Sequence, residues 1–182
     1  MAQENMSETS SSVGGDDYYA FISDTEDVDQ AELELDEALN ESVSVVVIDQ
    51  QELGKAIAAA IRVGNFMHKA SVLSGLACLG TGLLSRWLRL NFWGLTLPAG
   101  VISVTCALFY DLSWRTDPCC KYQVDWNGLE FQNIPLERLQ STNPVVLVRR
   151  DDTIRKRLHN IVSFSSAVFC GARLFQAVRA RK

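Results

Sequence analysis

The sequence predicts a membrane protein: a two-span α-helical hairpin, a small α+β extramembrane domain formed from both flanks, and a C-terminal amphipathic helix. Three observations carry this. Residues 70–85 and 97–110 contain no charge, and the short segment between them holds Arg86, Arg89, Trp87 and Trp93. β-Branched runs lie on both sides of that pair, at 42–49 and 144–148. Finally, all the acid-only sequence comes before Lys55 and all the basic residues come from Lys55 onward.

That asymmetry organises the chain. Residues 1–54 carry fifteen Asp and Glu and no Lys or Arg, whereas the remainder holds seventeen basic and seven acidic residues. An acidic tail thus precedes a basic body. The cations flank apolar runs and do not alternate with aromatics, so the pattern is that of membrane-flanking charge and no nucleic-acid partner is expected.

Taken in order, residues 1–17 are Ser-, Gly- and acid-rich and read as a disordered tail. Residues 18–65 read as strand, helix, strand and lead-in helix. "YYAFISD" (18–24) has strand composition, and Val28, Ala31, Leu35 and Leu39 recur at helical spacing. "SVSVVVID" (42–49) reads as a buried strand. Residues 66–85 form the first transmembrane helix. Its sixteen charge-free residues rise roughly 24 Å, and Phe66 and Met67 extend it while Lys69 snorkels to the headgroups. Residues 86–96 are the interfacial loop, and 97–114 the second span, with Pro98 in its first turn and Trp114 as the far anchor.

The segment 115–149 is strand-rich. Asn127-Gly128 marks a hairpin within 121–131, "PLERLQ" (135–140) is a helical turn, and 144–148 is another strand. A two-span hairpin returns the chain to its starting side, so both flanks can build one domain. Residues 150–182 are a basic helix. Its charge-free window, 158–172, is fifteen residues long and contains His159, Asn160 and three serines. An amphipathic or domain-packed helix is expected, with a third crossing as the alternative.

The sequence offers little chemistry. There is no phosphate-binding, dinucleotide or nucleophile-elbow motif, and the five cysteines form no CxxC. His68 and His159 lack acidic or thiol neighbours at ligand spacing. No catalytic residue, cofactor, metal or small-molecule substrate is therefore expected. Cys119-Cys120 is a poor metal site alone, and it is also compatible with juxtamembrane acylation. Ser74, Cys78 and Gly82 recur every four residues beside Ser71 and Gly75, as in close helix contacts. That face serves either homo-oligomerisation or packing against the chain's own second span. The start of the chain resembles neither a secretory signal nor an Arg-rich presequence, so internal segments would direct any organelle targeting.

The strings "VGNFMHKASVLSGLACL", "LPAGVISV", "SWRTDPCCKYQV", "NPVVLVRRDD" and "RKRLHN" occur in this order. In them the sequence closely resembles the transmembrane protein 11 family of mitochondrial membrane proteins, over roughly residues 43–162. The resemblance implies a non-enzymatic, multi-pass protein of the mitochondrial inner membrane, the outer membrane being the alternative. It implies a scaffold or organiser in mitochondrial morphogenesis and cristae organisation, associated with membrane lipid and with the mitochondrial contact site and cristae organising system. A small channel or transporter subunit is the competing class. No catalytic residues carry over. The membrane-boundary landmarks are His68, Lys69, Trp87, Trp93, Pro98, Trp114, Cys119, Cys120 and Tyr122, with Ser74, Cys78 and Gly82 as the helix-contact face.

Overall fold

The computed structural model describes residues 19–23, 27–89, 92–130, 139, 141 and 143–180. The tail 1–17 and, apart from Leu139, the turn at 135–140 lie outside them. The chain divides into two units, one of residues 1–58 with 122–149 and one of 59–121 with 150–182.

The first unit is a four-stranded sheet with a helix. Strands β1 (Tyr19–Ile22), β2 (Val45–Ile48), β3 (Tyr122–Val124) and β4 (Val145–Arg149) are ordered β1-β2-β4-β3. β1 and β2 run parallel, joined through helix α1 (Val28–Asn40), and the other two pairings are antiparallel. Asp27 caps α1 by accepting from the Asp29 N–H at 3.1 Å.

Every residue of β2 is at most 1% exposed, which explains its unbroken β-branched sequence. Fully burying each such side chain contributes about 1.5–3 kcal/mol. The α1 stripe is Ala31, Leu35, Ala38 and Leu39; the expected Val28 is instead 48% exposed at the helix start. The expected hairpin at 121–131 does not form among the described residues. β3 takes β4 as its partner, and Gly128 serves a turn at φ 64°. Tyr122 is fully buried, and its hydroxyl donates to the Val43 carbonyl at 2.7 Å, tying β3 to the entry of β2.

The second unit is helical. It holds most of α2 (Gln51–Leu88), with α3 (Trp93–Ser113) and α4 (Thr153–Arg179). The lead-in helix and first span are one continuous helix, and the loop shortens because α2 runs past Trp87 while α3 starts at Trp93. Pro98 therefore stands inside α3, beyond its first turn. It cannot donate to the Gly94 carbonyl one turn back, a defect transmembrane helices tolerate when neighbouring groups compensate.

The three helices turn heptad-like seams inward. Positions 71, 75, 78 and 82 of α2, 96, 100, 103, 107 and 110 of α3, and 159, 162, 163 and 166 of α4 are all buried. Their residues are mostly small or polar. The Ser71 hydroxyl donates to the Ser103 carbonyl at 3.0 Å, and Ser103 returns a bond to the Ser71 carbonyl at 2.8 Å. Having spent its one proton, Ser71 accepts from Ser163 at 2.9 Å. The Ser166 hydroxyl shares its proton between the Val162 carbonyl of its own helix at 2.8 Å and the Gly75 carbonyl of α2 at 3.2 Å. Outside face Leu73, Leu76, Val101, Leu108, Ile161, Phe164 and Val168, all exposed. A bundle with a hydrogen-bonded interior and an apolar exterior suits lipid, not water.

Among the described residues α2, α3 and α4 are each long and apolar enough to cross a membrane. The expected amphipathic C-terminal helix is thus a third spanning candidate, packed on α3 and bonded to α2.

Candidate functional site

The expected landmarks fall into three places. Lys69 and Pro98 are exposed, and Trp87 is 81% exposed. Trp93 lies under the Arg173 guanidinium, 5.2 Å from its ring centroid, so the far end of the bundle carries a cation–π stack. Trp114 is buried, its ring laid over Gly64, where any Cβ would strike it.

The second place is the small-residue face. Cys78 is fully buried with its Sγ 3.5 Å from that of Cys170. A Cβ at Gly82 would strike the Phe169 ring, so this glycine lets α4 approach α2. Ser74 is half-buried and donates back to the Ala70 carbonyl of its own helix at 2.5 Å.

The third is the end of the bundle nearest the 3-10 turn Pro118–Lys121. His68 and His159 bring their Nδ1 atoms to 3.2 Å, with rings stacked at 5.2 Å between centroids. Tyr110 packs against His159 at 4.8 Å and His68 at 5.9 Å. When both imidazoles are neutral, one must carry its proton on Nδ1 and the other must not. Sequence reasoning missed this pairing of residues 91 apart. The signal was present in the seam spacing, His68 preceding Ser71 and Gly75, and His159 preceding Ser163 and Ser166.

Cys119 and Cys120 are buried in the 3-10 turn, and the Cys119 N–H donates to Asp117 at 2.8 Å. The Cys120 thiol lies 3.6 Å from Lys156 Nζ and 3.8 Å from Asp152, which are themselves paired at 2.6 Å. Burial pushes the Cys120 thiol up from its ordinary value, Lys156 opposing and Asp152 reinforcing the shift. The thiolate is thus scarcer at neutral pH than in a free cysteine. In folded protein Cys120 should react with iodoacetamide roughly tenfold or more slowly than after denaturation, reactivity rising only above the usual thiol range. Equal rates in the two states, read by mass spectrometry, would contradict the burial. Among the described residues no three His, Cys, Asp or Glu side chains converge.

The profile of the family described as "Mitochondrial morphogenesis regulator" matches residues 21–175. The chain belongs to that family. The match reaches further at both ends than the resemblance read from the sequence, taking in the end of β1 and most of α4. Human "Transmembrane protein 11, mitochondrial" is 44% identical over 149 residues, 81% of this chain and 76% of its own. The Xenopus laevis "Transmembrane protein 11-A, mitochondrial" is 43% identical over 148 residues, covering 81% and 78%. The Danio rerio protein of the same type is 41% identical over 153 residues, again 81% and 78%. No solved structure matches the chain.

Proposed function

We propose that the chain is a non-enzymatic scaffold of the mitochondrial inner membrane that maintains organelle shape through the mitochondrial contact site and cristae organising system. The observation that carries this is the inside-out bundle: serine and histidine bonds within, leucine, valine and phenylalanine without. Family membership supplies the morphogenetic role. We take α2, α3 and α4 as three crossings. β2 precedes α2 and β4 follows α3, yet they pair directly, so these two strands share one side of the bilayer. A third crossing then sends the C-terminus to the other side. The scaffold acts by binding, and the serines of its interior hold the helices together.

The test is rescue in null cells, combined with affinity purification of the tagged protein from gently solubilised mitochondria. Restored morphology with co-purifying subunits of the cristae organising system is expected. Ion conductance by the purified protein in planar bilayers, with no such subunits recovered, would favour the channel class instead. Recovery in the carbonate-soluble fraction would remove the membrane reading altogether.

A further inference from the structure

We infer that Arg155, backed by His159, binds a phosphate-type oxyanion at the edge of the bundle, supplied by the headgroup of an anionic phospholipid. This goes beyond the scaffold reading and needs only its membrane-embedded bundle.

Arg155 is the third residue of α4 and stands one turn before His159 on the same face. Its Nε and Nη2 are buried and have no hydrogen-bond acceptor, and neither has His159 Nε2. Those two guanidinium nitrogens present parallel N–H groups along one edge, the fork that receives two oxygens of one phosphate or carboxylate. A guanidinium cannot shed its charge, so donors shielded from water call for an anion.

The surrounding carboxylates are already taken. Asp152 holds Lys156 at 2.6 Å, Asp111 lies 3.5 Å from Arg115, and Asp151 accepts from the Thr153 N–H and hydroxyl at 3.0 and 2.6 Å. Arg155 is left as the uncompensated cation beside His68, Tyr110 and His159. The start of α4 adds the positive end of a long helix. A divalent metal is disfavoured at the histidine pair by these same cations. An oxyanion answers both unmet guanidinium donors, and it answers His159 Nε2 when His68 is the one that carries its proton on Nδ1.

Position argues for lipid as the source. Arg155 lies where the charged stretch 149–157 gives way to the apolar run of α4, the depth of headgroup phosphates. Ile154 and Leu158 beside it are 80% and 46% exposed, an apolar surface for the acyl chains of the same molecule.

The experiment reconstitutes full-length protein in nanodiscs of phosphatidylcholine with or without phosphatidylglycerol, then counts lipid retained on delipidation by native mass spectrometry. Wild type should keep one phospholipid, preferring the anionic one. Arg155→Gln and Arg155→Lys should each lower retention by about tenfold, because lysine keeps the charge but not the fork. Arg157→Gln, an exposed neighbour on α4, should leave it unchanged. Should Arg155→Gln misfold, the lysine variant decides alone. In lipid-free detergent, inorganic phosphate that raises the melting temperature of wild type but not of Arg155→Lys, without lipid retention, supports the oxyanion site with a soluble source. Equal loss in Arg157→Gln shows diffuse surface charge and overturns the inference. So does embedded wild type that retains no lipid and ignores phosphate, or an Arg155 occupied only by a carboxylate of a co-purifying protein. Wild type that will not enter a nanodisc refutes the membrane reading itself, and the lipid source with it.

Discussion

Leucine in place of Gly75 should break the helix bundle while leaving the protein in the membrane. A Cβ at this position would meet Val162 Cγ1 at 2.6 Å, Ser103 Oγ at 2.7 Å and Ser166 Oγ at 2.9 Å. These atoms belong to α3 and α4; the Ser103 hydroxyl is committed to the Ser71 carbonyl of α2, and the Ser166 hydroxyl shares its proton between the Val162 and Gly75 carbonyls. None can give way without loosening a neighbouring bond. Overpacking of this kind costs about 1–3 kcal/mol, and each interhelical hydrogen bond lost in lipid adds roughly 0.6. The melting temperature in detergent should fall by about 5–10 °C, with faster proteolysis between the helices. Gly80 supplies the control, since nothing lies within 4 Å of a Cβ built there. Gly80→Leu should insert and melt like wild type. If the two leucine variants behave alike, the seam described above is not the bundle's interior.

The second large effect concerns α4. Val168 is 54% exposed and lies near the middle of the charge-free window 158–172. If α4 crosses the bilayer, arginine there is placed in hydrocarbon at about 2.5–3.5 kcal/mol, enough to shift insertion roughly a hundredfold. A C-terminal tag in wild type should be protected from protease on the side where a tag between β3 and β4 is cleaved. In Val168→Arg it should move to that same side. Tags cleaved together in wild type would make α4 a surface helix, and the substitution would then have little consequence.

Residues of α4 show why part of this architecture was legible in the sequence and part was not. Runs 70–85 and 97–110 announce their spans because their outward residues are apolar and their inward ones small. In α4, His159, Asn160 and three serines weigh against a crossing, yet His159, Ser163 and Ser166 are the buried residues that hold it to α2 and α3. Polarity read along the chain is a mean over both faces, and only the neighbouring helices reveal which face is inside. The strands were legible because β2 is buried on both faces. The partner of β3 was not, since Asn127-Gly128 signals a turn without saying which strand lies beside it. Arg155 gave no local sign either. Its sequence setting is one of abundant charge, and only the structure shows its neighbours paired and its own fork unmet.

The pairing of β2 with β4 has a consequence for how the protein is made. Their partners, Val45 with Val148 through Ile48 with Val145, come from opposite ends of a segment containing the two spanning candidates α2 and α3. If α2 and α3 both cross the bilayer, the sheet can close only after both have been threaded and β3 and β4 have come back to the side of β1 and β2. Until then the four β-branched residues of β2 expose an open edge of high aggregation tendency. A chain in which α3 failed to return would keep that edge bare, the kind of surface that pairs with other chains.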